Sequence, residues 1–231
     1  MPSASDIAAN ILQVQERVSQ SAYRAGRDPA SVRIVAVSKT FPPENILQAY
    51  ECGVRDFGEN RVQEYLDKRP ALRLPDARFH LIGHLQTNKV IQAMAFDWIQ
   101  TVDSIRLADR LNKAAAKGNR NLPVLIEVKL GEEESKTGVP EPEVSGIAAV
   151  LVQLESLELR GLMTIPPFSQ DPENARPYFR RLRQLRDRLQ GVGLDQVVEL
   201  SMGMSHDFPV AIEEGATIVR IGTAIFGPRN A

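Results

Sequence analysis

The chain has 231 residues, 43% hydrophobic and 25% charged, with 28 basic and 29 acidic side chains and a single cysteine, Cys52. That length and apolar share suit one sizeable buried core and exclude a disordered chain. Balanced charge lacks the basic excess of a general nucleic-acid or membrane-surface binder, a lone cysteine excludes an intrachain disulfide and fits a reducing compartment, and no apolar run approaches the ~20 residues of a membrane span.

The N-terminus MPSASDIAANILQVQERV has no basic segment followed by an apolar one. No signal peptide is read, and a cytoplasmic location is expected. Ile7, Ile11, Val14 and Val18 recur at helical spacing, which predicts an amphipathic helix over about 5–25, ended near Gly26. That helix is expected to cover the foot of the domain rather than to dock a partner.

From there β-branched runs alternate with helix-period segments. Strands are predicted at 33–38 (RIVAVS), 54–58, 78–83, 97–102, 123–129, 158–164, 197–201 and 217–222. Between them, 106–117 carries Leu107, Ala108, Leu111, Ala114 and Ala115 on one helical stripe, and 173–190 carries Phe179, Leu182, Leu185 and Leu189. Gly53, Gly118 and Gly215 stand where a helix ends in a left-handed residue. The stretch 131–143, GEEESKTGVPEPE, reads as one long connection, its acidic run 132–134 solvated. Such alternation defines βαβ units and a parallel sheet. Eight strands point to an α/β fold, a closed (β/α)8 TIM barrel spanning 1–231 as a single domain. Alternation alone does not show closure and leaves an open doubly wound sheet as the alternative.

Parallel α/β folds build their sites at the C-terminal ends of strands. Lys39, Asn60, His84, Asp103, Lys129, Met163, Ser201 and Arg220 fall at or just past such ends. The last two units, ELSMGMSHDF (199–208) and VRIGTAIFG (219–227), place Ser201, Gly203, Ser205, Gly222 and Thr223 where backbone N–H groups and hydroxyls can meet an anion, the usual phosphate position in such barrels. Two glycine turns needed only for chain reversal are the competing reading. An inward Arg220 needs an acceptor, either a ligand or a neighbouring acid such as Glu199 or Glu127. A lysine at the mouth can form an imine if desolvation and a nearby cation lower its pKa. Two chemistries then remain open: an aldolase for a sugar phosphate, or a protein that holds pyridoxal 5′-phosphate.

Other patterns carry less. Consecutive Ser205, His206 and Asp207 cannot adopt triad geometry. His80 and His84 would lie roughly 13 Å apart on a strand, too far to share a metal. The glycines at 191 and 193 follow a helix and lack a dinucleotide fingerprint. Basic 180–188 keeps its leucine stripe and reads as a solvated helix face, and Cys52 reads as packed rather than nucleophilic.

The segments AVSKT, FGENRVQE, HLIGHLQTNK, GLMTIPP, LSMGMSHDF and VRIGTAIFG, in order from about residue 33 to 227, together resemble the pyridoxal phosphate homeostasis protein family. The resemblance implies a barrel of the alanine-racemase type with an extra N-terminal helix. It implies pyridoxal 5′-phosphate bound as an imine to Lys39, the phosphate on Ser201, Ser205, Gly222 and Thr223, Arg220 facing the pyridine nitrogen, and Asn60 beside the ring, with His84 and Met163 as further pocket residues. The similar racemases carry a second domain with a catalytic tyrosine, whereas this sequence stops after the eighth strand. The expected function is therefore cofactor buffering and delivery in vitamin B6 homeostasis, with negligible catalysis. Expected partners are the cofactor and apo-enzymes that use it, with no nucleic acid, no membrane and a monomeric state. An amino-acid racemase or lyase is the alternative.

Overall fold

The computed structural model describes residues 4–131 and 137–228. Its strands are β1 (Arg33–Val37), β2 (Asp56–Glu59), β3 (Arg78–Leu81), β4 (Trp98–Val102), β5 (Leu122–Lys129), β6 (Val139–Pro140), β7 (Leu157–Met163), β8 (Glu199–Met204) and β9 (Ile218–Ile221). The helices are α1 (Ala4–Arg24), α2 (Pro43–Glu51), α3 (Val62–Lys68), α4 (Val90–Ala93), α5 (Ile105–Lys117), α6 (Val144–Leu151), α7 (Arg176–Gly191), α8 (Phe208–Glu213) and α9 (Thr223–Phe226). Every pairing is parallel, in the order β4-β3-β2-β1-β9-β8-β7-β5, and β4 also pairs with β5. That last pairing decides between the two topologies left open by alternation: the sheet closes into an eight-stranded barrel. Two-residue β6 merely extends the ladder beside the end of β5.

Side-chain alternation sorts the strands into two environments. Ala36, Phe57, Phe79, Leu81, Ile99, Ile126, Leu162, Leu200 and Val219 join the large cluster beneath the helices. Val35, Trp98, Leu125, Met163 and Ile218 form a small separate cluster inside the barrel. The predicted stripes of α5 and α7 are buried. Ser104 caps α5 by accepting from the Leu107 N–H, which satisfies one orphan donor of the first turn. On the outer side of α7, Arg176, Arg180 and Arg183 surround buried Glu214, while Arg181 and Arg188 pair with Glu141.

Local expectations change at several points. First, β2 starts at Asp56, not at residue 54, because left-handed Gly53 ends α2 and the Arg55 guanidinium folds back onto the Tyr50 and Val54 carbonyls. Second, at the end of α5 the left-handed residue is Asn119 (φ 46°) rather than Gly118 (φ −88°), whereas Gly53 and Gly215 are left-handed as expected. Third, the 131–143 connection contains β6 and a 3-10 turn at Glu141–Glu143; its acidic run 132–134 lies outside the described residues. Fourth, α1 does not lie under the foot. It packs against α8, α9 and α2, filling the outer layer where α9 supplies only one turn. Buried Ile7, Ile11, Val14 and Val18 contribute about 1.5–3 kcal/mol each in transfer free energy. No described helix is long and apolar enough to cross a membrane.

Candidate functional site

Three neighbouring strands bring the chief candidates together. Val35 of β1 pairs with Arg220 of β9, and Arg220 pairs on its other side with Met204 of β8. Lys39 therefore follows the strand beside Arg220, with the loop after β8 on the opposite flank. Lys39 is half-buried, next to fully buried Ser38. Gly222 neighbours Val37, and a Cβ there would make ordinary contact with the valine Cβ at 3.5 Å. Continuing round the barrel, Asn60 follows β2 and His84 follows β3, while Met163 ends β7. The candidates occupy one arc, β7-β8-β9-β1-β2-β3.

The loop after β8 is shaped by a bulge. Ser201 pairs with Ile218 but Met204 with Arg220, so three steps on β8 match two on β9. Gly203 absorbs the extra residue at φ 91°, a left-handed conformation that favours glycine. Beyond the bulge, the Ser205 hydroxyl oxygen accepts from the N–H groups of Gly222 and Ala224, both at 3.2 Å. Two backbone donors thus converge on one oxygen, as binding an anion requires. Exposed Thr223 lies between them. Asp207 accepts from the Met204 N–H and His206 meets the Gln170 carbonyl, so these neighbours of Ser205 have separate tasks.

Arg220 is 3% exposed. Its guanidinium donates to the Ser201 hydroxyl at 2.7 Å and to the Thr164 carbonyl at 2.9 Å, both neutral acceptors. Neither Glu199 nor Glu127 is its direct partner: Glu199 takes Arg33 and Thr217, and Glu127 takes Thr137. Burial pushes Arg220 down to about 10, with the carboxylates of Asp207 and Glu127 pulling the other way through space. It stays charged at neutral pH. Burial likewise raises the Glu127 carboxyl.

Ser201 is wholly buried in the barrel interior beneath Arg220 rather than beside the Ser205 cradle. Because guanidinium only donates, the Ser201 oxygen accepts, and its own proton goes to Gln100 Oε1 at 2.7 Å. Gln100 Nε2 then donates to His80 Nδ1 at 3.0 Å, and His80 Nε2 donates to Asp56 Oδ1 at 2.8 Å. Arg78 closes the line on Asp56 Oδ2 at 2.7 Å. Each link fixes the next, so His80 is neutral with its proton on Nε2. Burial lowers the His80 pKa, with the Asp56 bond offsetting part of that. Burial would raise Asp56, but His80 and the nearby arginines outweigh it and hold the carboxyl low.

Asn60 and His84 share a groove of about 440 Å³ with Arg61, Gln63, Gln86 and Lys89. Its wall is tight: a Cβ on Gly83 would lie 2.2 Å from the Asn60 carbonyl oxygen. His84 Nδ1 meets Asp103 at 3.1 Å. Met163 is fully buried in the interior cluster. Lys129 lines a second groove of about 230 Å³ with Glu127 and Thr137. Sequence reasoning overlooked Asp56, Gln100 and Thr164, as well as Glu59 at the end of β2 and Glu64 and Lys68 of α3. One signal was available: a polar residue at an inward position in an otherwise apolar strand.

The closed parallel barrel brings Lys39, Ser205, Gly222 and Arg220 to one mouth, and its fold is that of the alanine-racemase N-terminal domain. Residues 4–230 match the family described as "Alanine racemase, N-terminal domain". A pyridoxal phosphate homeostasis protein of Aquifex aeolicus is 49% identical over 219 residues, 94% of this chain and 96% of that one. The structure of an unknown protein from Bifidobacterium adolescentis superposes with a TM-score of 0.91 at 38% identity, covering 96% and 95% of the two chains. PipY of Synechococcus elongatus, solved with pyridoxal phosphate bound, gives 0.82 at 40% identity, covering 93% and 100%. The chain belongs to the pyridoxal phosphate homeostasis protein family.

Proposed function

We propose that this protein binds pyridoxal 5′-phosphate and serves as a buffer and donor of the cofactor, in the cytoplasm, for apo-enzymes that need it. The observation that carries the reading is Arg220, a buried cation held by neutral acceptors beside the strand that leads into Lys39. The residues suit the cofactor: an amine for its aldehyde, converging N–H groups for its phosphate, and a donor for its ring nitrogen. In this reading Lys39 is the covalent attachment point. Ser205, Gly222 and Thr223 take the phosphate, and Asn60 stands beside the ring, with His84 further out. Ser201 and Met163 act from below, Ser201 by holding Arg220 and Met163 by packing under the mouth.

Bound cofactor supplies an electrophilic carbonyl and a conjugated ring that can withdraw electrons. Arginine cannot accept a proton and does not give one up at neutral pH, so Arg220 favours an unprotonated ring nitrogen and a weakened electron sink. A weakened sink suits storage but does not by itself exclude amino-acid chemistry. The reading takes the protein as a monomer of one domain.

The test is the absorption spectrum of the protein incubated with pyridoxal phosphate. A near-visible band is expected, lost on borohydride treatment, with the label on Lys39 by peptide mapping. Lys39→Ala is expected to lose the band. An unchanged band in that variant would overturn the assignment, and turnover of an amino-acid panel at ordinary enzymatic rates would favour a racemase or lyase.

A further inference from the structure

The segment that carries Lys39 is held from outside the barrel. Ser38 is fully buried. Its hydroxyl donates to Glu59 Oε1 at 2.8 Å and its carbonyl accepts from Lys68 Nζ at 3.0 Å. On the other side of Lys39, the Thr40 N–H donates to Glu64 Oε1 at 2.5 Å. Lys68 Nζ also donates to Glu59 Oε1 at 2.9 Å and to Glu64 Oε1 at 2.6 Å. All three protons of Lys68 are thereby engaged, which leaves it unsuited to compete with Lys39 for an aldehyde.

This arrangement costs free energy. Thr40, a β-branched residue, sits at φ 69°, where a non-glycine loses about 1–2 kcal/mol. The Lys68 and Glu59 side chains are 10% and 0% exposed, and the second Glu59 oxygen has no hydrogen-bond partner among the described residues. Apolar side chains of similar volume often serve stability as well as a buried ion pair. What they cannot do is grip a backbone carbonyl and a backbone N–H on either side of one residue.

We infer that Lys68, with Glu59 and Glu64, is a positioning clamp that fixes the backbone flanking Lys39 so that its amine is presented to the cofactor aldehyde. The inference rests on the reading of Lys39 as the attachment point. Attachment forms one C=N bond to Lys39 Nζ and releases the aldehyde oxygen as water, with no redox change. The clamp acts through the peptide groups of Ser38 and Thr40 and through the Ser38 hydroxyl.

The test compares the full-length wild type with Lys68→Met, Lys68→Arg and Glu64→Leu. Three quantities are measured: the rate of covalent capture of pyridoxal phosphate, trapped by borohydride at Lys39; the affinity for 4′-deoxypyridoxine 5′-phosphate, which has no aldehyde; and hydrogen exchange of segment 38–41 without cofactor. Lys68→Met is expected to slow capture about tenfold or more and to speed exchange, with analogue affinity unchanged. Lys68→Arg, which keeps charge and donors, is expected to restore much of the rate. Should Lys68→Met fail to fold, Glu64→Leu decides, since its loss frees the exposed Thr40 N–H and one Lys68 proton while the Lys68 bonds to Ser38 and Glu59 remain. It is expected to slow capture and speed exchange in the same way. Folded variants that capture at the wild-type rate, or that lose capture and analogue affinity by one factor, would overturn the clamp. Wild-type label away from Lys39 would instead overturn the reading beneath it.

Discussion

Arg220 and Ser201 show how one hydroxyl can decide the use of a buried charge. A guanidinium inside a barrel must be hydrogen-bonded, and its contacts here are one side-chain oxygen and one carbonyl. Ser201→Ala deletes an acceptor for Arg220 and a donor to Gln100 together. Unmaking a buried bond to a charged group costs about 1–3 kcal/mol, so the variant is expected to lose roughly that much unfolding free energy in urea. Arg220 would also lose its aim, and affinity for the cofactor is expected to fall about tenfold, or 1.4 kcal/mol. Unchanged values for both would remove Ser201 from its role. The sequence placed Ser201 at a strand end but not the direction of its side chain. Direction came from pairing, because Ser201 shares the interior with Ile218 rather than the rim with Ser205.

At the scale of elements, the end of β8 matters most. Its strand was expected to stop at residue 201 and instead runs to Met204 through a bulge. The motif Met-Gly-Met hides that bulge, since apolar alternation continues across it. Gly203 lies at φ 91°, and an added Cβ would meet the Ala211 Cβ at 2.6 Å and the Phe208 Cα at 2.9 Å. Neither contact is a flexible side-chain end. Gly203→Ala must therefore bear the left-handed penalty of about 1–2 kcal/mol and displace α8 or the bulge as well. A loss of about 3 kcal/mol or more is expected by denaturant unfolding, within the range of severe single substitutions. Weakened phosphate-analogue binding is expected with it, because the same turn carries Ser205. A loss under about 1 kcal/mol would mean that the bulge relaxes freely.

Across the whole molecule, the repeated period made the barrel legible. Eight apolar strands with helices between them left only closure open, and β4 pairing with β5 decides that. The interior line was not legible, since Asp56, His80, Gln100, Ser201 and Arg220 come from five strands and meet only once the barrel closes. It gives the molecule a defined response to acid. His80 is fully buried, and burial lowers its pKa below 6.5. In the unfolded chain it titrates near 6.5. As pH falls below about 6.5 the unfolded state takes up the proton first, so stability falls with pH in that window and is independent of His80 above it. Forcing the proton onto folded His80 would make Nδ1 a donor and turn the Gln100 amide around. The Ser201 proton would then have no acceptor, at a cost of about 1–3 kcal/mol. Buried Glu59, Glu127 and Asp207 have raised values and act with the opposite sign, favouring the folded state as pH falls, so the His80 effect must be isolated by difference. His80→Gln keeps a donor toward Asp56 and an acceptor toward Gln100 but does not titrate. Between about pH 7.5 and 5.5 the wild type is expected to lose about 1 kcal/mol more unfolding free energy than His80→Gln. Parallel curves would mean that His80 protonates as readily in the barrel as in water, and that the neutral, directional line from Arg220 to Asp56 does not hold.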